Sequence, residues 1–253
     1  MTTPERIRAG WNTIVRALVR PYPVTAPMIV LVLLVPFYIA IAQIVRTRPL
    51  HTPAMALDDF IALRPAWALV YGSLYLFLIA LPVFAIRQPG HLRGTVFAYL
   101  TVWSISFASF LLYPTMASRP VSIAGEGFAA WGLRFLYAAD PPYNCFPSLH
   151  VAHSCVSAFA CYRLHRGLGV TAMGCAALVG VSTLFTKQHY VADVIAGALL
   201  SVAAYAVFLR PQSIGPVPDA DRESAPVVAL AVAGVVGIAF GGYYVAYLLG
   251  VQP

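Results

Sequence analysis

Charge is scarce in this chain. Of its 253 residues, 10% are Asp, Glu, Lys or Arg and 60% are hydrophobic, against roughly 25% and 45–50% in a soluble domain. That balance excludes a water-soluble fold. Lysine is reduced to one residue, Lys187, and the arginines stand one or two at a time between apolar runs. No basic stripe or aromatic ladder exists, so the net charge of +7 reflects the positive-inside rule and points away from nucleic acid. Cysteine is also rare. Cys145, Cys155, Cys161 and Cys175 show no metal-knuckle spacing, and three of them fall in apolar runs, where they pack as small hydrophobes. No disulfide framework, metal or cofactor is expected. The absence of a Gly-x-Ser-Gly stretch argues against a rhomboid-like serine protease. The near absence of polar residues inside the runs argues against a transporter or channel.

What the chain has in quantity is apolar runs of near-spanning length. They occupy about 24–45, 66–86, 95–113, 148–165, 167–186, 190–209 and 226–249. The expected fold is all-α and polytopic, with a six-helix transmembrane core over 24–209 and one appended C-terminal helix over 226–249. A polar, Pro-rich linker (210–225) separates the two. Residues 1–23 carry Arg6, Arg8, Arg16 and Arg20 around Trp11, Ile14, Val15 and Leu18, the pattern of a basic amphipathic helix on an anionic leaflet. Ala40-Ile41-Ala42 resembles a signal-peptidase site, but the run before it is longer than a signal h-region of roughly 7–15 residues, so the first span is read as retained. Ala233, Gly237 and Gly241 form a small-residue stripe on the last helix. The longest connection, Pro114 to Pro147, repeats Phe128, Trp131 and Phe135 at helical spacing, which suits an interfacial helix acting as a lid or as an aromatic anchor.

Orientation follows from counting basic residues on alternate sides. With the N-terminus inside, the inner segments hold ten (Arg6, Arg8, Arg16, Arg20, Arg87, Arg93, Arg163, Arg166, Arg210, Arg222) and the outer ones six (Arg46, Arg48, Arg64, Arg119, Arg134, Lys187). The excess favours a cytoplasmic N-terminus, in a multi-pass protein of the inner or plasma membrane. Arg119, Pro147 to His150 and Lys187 to His189 then emerge together on the extracytoplasmic face.

Those three clusters carry the candidate chemistry. On a helix, His189 and Asp193 stand at i and i+4, so the carboxylate can orient the imidazole and stabilise its cation, leaving a poised nucleophile or base. Asp193 is also the only acidic residue inside a long apolar run, and ionisable groups at membrane depth are expensive unless functional. Ser148 and His150 open the fourth span, where helix N–H groups make an anion site. There Ser148 can donate to a phosphate oxygen and His150 can act as a general acid. Arg119 and Lys187 supply fixed positive charge for a phosphoryl group. His153, one turn below His150, reads as a packing polar group. A rival assignment makes His150, His153, His189 and Asp193 ligands of a zinc or iron ion.

Phe146-Pro147-Ser148-Leu149-His150 together with Thr186-Lys187-Gln188-His189-Tyr190-Val191-Ala192-Asp193, preceded by Arg119-Pro120, resembles the type 2 phosphatidic acid phosphatase superfamily. The likeness is greatest to its inositol phosphoceramide synthase-like branch. The resemblance covers about 24–209. It implies that His189 is the nucleophile forming a phosphohistidine, that Asp193 orients it, that His150 is the acid/base, and that Ser148 and Arg119 bind phosphate. It further implies a lipid phosphate, lipid diphosphate or phospholipid substrate within the membrane, with water or a lipid alcohol as acceptor. Three positions depart from the family pattern. Leu112 stands for the first-motif lysine, Thr183 for the third-motif arginine and Leu149 for the second-motif glycine, and Lys187 is the candidate replacement cation.

Overall fold

The computed structural model describes residues 25–210 and 215–253, together with Arg8, Trp11, Asn12 and Val15. The amphipathic helix expected over 1–23 lies almost wholly outside these residues. Apolar runs fold as helices because a bilayer offers backbone N–H and C=O groups no partner, and the described residues contain helices and no strand. The helices are α1 (Thr25–Val45), α2 (Trp67–Ala85), α3 (Pro89–Leu112), α4 (Phe128–Ala139), α5 (Leu149–Leu164), α6 (Arg166–Phe185), α7 (Val191–Ala204, prolonged by a π-helical turn, Tyr205–Leu209) and α8 (Asp219–Leu248). Among the described residues, α2, α3, α6, α7 with its π turn, and α8 are long and apolar enough to cross a membrane. This is a multi-pass membrane protein.

Two helices start earlier than hydropathy suggests. Pro89 opens α3 at a position where a missing N–H costs nothing, and the Gln88 side chain accepts from the His91 N–H. Asp219 and Asp221 lie in the first turn of α8, where carboxylates suit the positive end of the helix dipole, so α8 takes in residues 219–225 as well.

Helix α5 is the hub. One apolar cluster joins α1, α3, α5 and the end of α7 through Val45, Tyr99, Phe110, Val156 and Leu209. A second joins α2, α5, α6 and α8 through Leu78, Leu81, Cys161, Val179 and Val228. Because α5 packs on both sides, its buried surface includes the small residues Ala152, Ser154, Ser157, Ala158 and Ala160. Small residues let neighbouring backbones approach, and a helix shielded from lipid has no need of a greasy exterior. This explains its weak hydropathy signal and its 16-residue length, short of the ~20 residues a lipid-exposed span requires.

The connections 46–66, 113–148 and 186–190 gather at one end of the bundle. His51 N–H donates to the Pro114 carbonyl at 2.9 Å, Met116 N–H to His51 at 3.0 Å, Ala117 N–H to Pro142 at 2.9 Å and Arg64 N–H to Phe185 at 2.9 Å. The chemistry-bearing residues stand on this end.

Candidate active site

Helix α6 stops at Thr186 and the chain reverses within four residues. Lys187 takes a left-handed conformation (φ 54°), and the Gln188 and His189 N–H groups fold back onto the Thr183 carbonyl at 2.9 and 3.2 Å. This is the usual way of satisfying carbonyls at a helix end. The reversal lets α7 begin at Val191, with Asp193 in its first turn. Asp193 Oδ2 accepts from the Tyr190 N–H at 2.9 Å and faces His189 Nδ1 at 3.3 Å. One carboxylate oxygen thus caps the helix and fixes the imidazole, and both residues are buried.

The same helix docks on the start of α5. The Ser148 N–H donates to the Asp193 carbonyl at 3.0 Å, and Gly197 lies so close that a Cβ there would meet the Ser148 carbonyl oxygen at 2.4 Å. This contact delivers His150 to His189, with His150 Nδ1 and His189 Nε2 3.0 Å apart. Since Asp193 takes the Nδ1–H of His189, its Nε2 holds the lone pair and His150 Nδ1–H points at it. On the far side, His150 Nε2 lies 3.8 Å from Asp140 Oδ2. The result is a line of groups, Asp193, His189, His150, Asp140, in which each imidazole has a carboxylate behind it.

Asp140 is itself held in place. Its carboxylate accepts from Tyr38 Oη at 3.0 Å and Gln188 Nε2 at 3.3 Å, and its carbonyl accepts from Arg119 Nη1 at 2.6 Å. The Arg119 guanidinium also lies over the Tyr137 ring, 4.5 Å from its centroid, while its Nε is buried without a partner among the described residues. Burial pushes the Tyr137 phenol up to about 12 against the opposing pull of Arg119, so it stays neutral and its Oη donates to the Thr186 carbonyl at 2.6 Å. Tyr190 Oη accepts from the Ser118 N–H at 3.1 Å. These bonds tie the first motif to the third.

The site residues expected from sequence are therefore placed unequally. His189, Asp193 and His150 touch in series. Ser148 is fully buried and its Oγ accepts from the Val151 N–H at 3.3 Å, an N-cap whose hydroxyl hydrogen is still free to donate. Lys187 turns toward the α1–α2 connection, its Nζ 3.4 Å from the Asp58 carbonyl. His153 faces away, accepting from Trp103 Nε1 at 3.2 Å and stacked on Tyr99. The four-ligand set of His150, His153, His189 and Asp193 is thus not assembled.

Cys145, His189 and Asp193 do place ligand-type atoms within 4.8 Å of one another. Burial, reinforced by the Asp193 charge, pushes the Cys145 thiol well up.

Sequence reasoning missed Asp58. Its carboxylate accepts from the Val191 N–H at 2.9 Å and the Met55 N–H at 2.8 Å, so it caps α7 from another part of the chain. The one sequence signal was an adjacent acidic pair, Asp58-Asp59, in a chain with nine acidic residues. It also left without a role Asp140, and Tyr71 and Tyr75, whose rings pack edge-on against His150.

Residues 51–207 match the family profile of the PAP2 superfamily, more than half of the chain. The chain belongs to the PAP2 superfamily. No curated protein and no solved structure matches it. Membership fits a phosphatase or phosphotransferase acting on lipid phosphates, and the matched stretch contains Asp58 and the whole line from Asp140 to Asp193. Of the positions expected from sequence to depart from the family pattern, Leu112 is exposed at the end of α3, and Thr183 is buried, its Oγ1 donating to the Gly180 carbonyl at 2.7 Å. Helix α8 lies outside the matched residues.

Proposed function

We propose that this PAP2 protein transfers the phosphoryl group of a lipid phosphate through a phosphohistidine on His189. The carrying observation is the 3.0 Å approach of His150 Nδ1 to His189 Nε2, with Asp193 on the other ring nitrogen. The phosphoryl group enters between the two imidazoles. The lone pair of His189 Nε2 attacks phosphorus, the bond to the lipid oxygen breaks, and protonated His150 gives its Nδ1 proton to that oxygen. Asp140 supplies the countercharge for the imidazolium. In the second step His150 takes a proton from the acceptor, which attacks phosphorus and frees His189. Positive charge for the equatorial oxygens comes from Arg119, Lys187 and the start of α5, with Ser148 as a hydroxyl donor.

The site lies on the extracytoplasmic face in this reading, supported by the ten-to-six basic excess. Counting Thr25–Val45 and Leu149–Leu164 as crossings gives six core spans plus α8. A second reading, headgroup transfer to a lipid alcohol as in the inositol phosphoceramide synthase-like branch, is favoured by a specific observation. With Leu112 and Thr183 in place of cations and Asp140 facing His150, the site suits a singly charged phosphodiester better than a dianionic monoester.

The test is rapid quench of purified protein with labelled lipid phosphates, diphosphates and phosphodiesters, scoring free phosphate, new lipid products and bound label. Acid-labile, base-stable labelling of wild type, absent in His189→Ala, is expected. Full turnover by His189→Ala would end the covalent reading, and the product formed separates water from alcohol as acceptor.

A further inference from the structure

Helix α8 does more than flank the bundle. A groove opens between α2, α4 and α8 whose walls include Tyr71, Tyr75, Phe135, Ala139, Phe240 and Tyr243, and it encloses about 700 Å³ counting its open side. No charged side chain lines it. Its inner wall is continuous with the site, because the Tyr71 and Tyr75 rings that line it lie 5.5 and 5.0 Å from the His150 ring. Ala139, at its other edge, immediately precedes Asp140. A second apolar groove, between α2, α6 and α8, encloses about 1010 Å³ counting its open side.

Phe240 lines both grooves. Its Cζ sits 2.9 Å from the place a Cβ would occupy on Gly72, so the ring rests directly on the α2 backbone and divides one groove from the other. The outer end of α8 clasps α4 by polar contacts as well. Trp131 Nε1 donates to the Val251 carbonyl at 2.7 Å, and Tyr247 Oη donates to the Glu126 carbonyl at 3.0 Å.

We propose that α8, which lies outside the residues shared with the family, completes with α2 and α4 the binding groove for the hydrocarbon chain of the lipid substrate. The proposal rests on the reading of the site as one acting on a phosphorylated lipid. Three features commit the groove to that occupant. It lacks charge, it opens beside helices that face lipid, and its inner wall is the aromatic wall of His150, so a phosphate at His189 leaves its chain this route to the bilayer. Lipid tails are about as apolar as the groove lining, so moving a chain into it gains little free energy. Its effect is on register: it holds the headgroup where His189 can reach phosphorus.

The experiment uses full-length protein in nanodiscs and a phosphatidic acid carrying a diazirine on its acyl chain. Photolabel should map to residues of α4 and α8 that line the groove, and excess unlabelled phosphatidic acid should remove it while a phosphate-free galactolipid of the same chains does not. Label spread over the outer helices, or removed equally by the galactolipid, identifies annular lipid and overturns the proposal, as do crosslinks between two copies of the chain.

Kinetics give a second readout. Ala139 is exposed, so Ala139→Trp fills the groove mouth without disturbing a packed layer. The ratio of kcat/KM for dioleoyl over dihexanoyl phosphatidic acid should fall about tenfold or more, because a long chain kept out of the groove shifts the phosphate out of register with His189. Phe240→Ala, which leaves α4 intact, should flatten the dependence on chain length. Unchanged ratios in both variants refute the groove while leaving the phosphatase reading standing. Wild-type protein that turns over no phosphorylated lipid refutes that reading instead, and the photolabel map then decides the groove by itself.

Discussion

Gly197→Ala should separate chemistry from folding. A Cβ at 197 would meet the Ser148 carbonyl oxygen at 2.4 Å, the Ser148 carbonyl carbon at 3.3 Å and the Ala152 nitrogen at 3.4 Å. None of these atoms can yield alone, because the Ser148 carbonyl accepts from the Ala152 N–H at 3.0 Å and anchors the first turn of α5. Reaching ordinary contact therefore needs about 1 Å of separation between α7 and α5. His189 and Asp193 travel with α7 and His150 stays with α5, so the 3.0 Å approach of His150 to His189 opens to about 4 Å, beyond hydrogen-bond range.

A misplacement of that size costs on the order of 10²-fold in rate. Stability should change less. Overpacking costs about 1–3 kcal/mol, and replacing glycine inside a helix recovers about 1 kcal/mol. The assay is turnover per folded protein, with thermal unfolding followed in the same detergent, and Gly234→Ala as control, since nothing lies within 4 Å of a Cβ there. Wild-type turnover by Gly197→Ala would show that the α5–α7 contact does not set the geometry of the site.

Other outcomes follow from the same geometry. Asp58→Ala leaves the Val191 and Met55 N–H groups without their carboxylate, at about 1–3 kcal/mol; kcat should fall and KM change little, and the reasoning fails if only the melting temperature moves. Cys145→Ser should retain activity and EDTA should change little, whereas complete loss with EDTA and recovery with zinc would favour a metal centre at Cys145, His189 and Asp193. Because the Cys145 thiol is pushed up, its thiolate is populated only at higher pH, so alkylation should stay slow at about pH 8.5, where an ordinary thiol is half ionised; rapid labelling there contradicts the burial argument. Single cysteines placed in 121–140, in a background lacking the native ones, should react with impermeant reagents from outside, and reaction from the cytoplasm alone reverses the topology.

Sequence by itself determined what depends on local spacing and on solvent. A bilayer core compels hydrogen-bonded helices, so the apolar runs were legible as helices, and the four-residue spacing marked Asp193 as the partner of His189, although His189 stands before α7 and meets the carboxylate through the chain reversal and the cap at Tyr190. The aromatic spacing of Phe128, Trp131 and Phe135 announced α4 on the same ground. Local spacing is silent about contacts between segments. That Ser148 docks on the Asp193 carbonyl, that Gly197 lets two backbones close, and that Asp58 caps α7 across more than 130 residues are consequences of helix packing. So is the placing of Asp140 behind His150. Tertiary structure also explains the faint signal of α5: hydropathy reports what faces lipid, and α5 faces other helices.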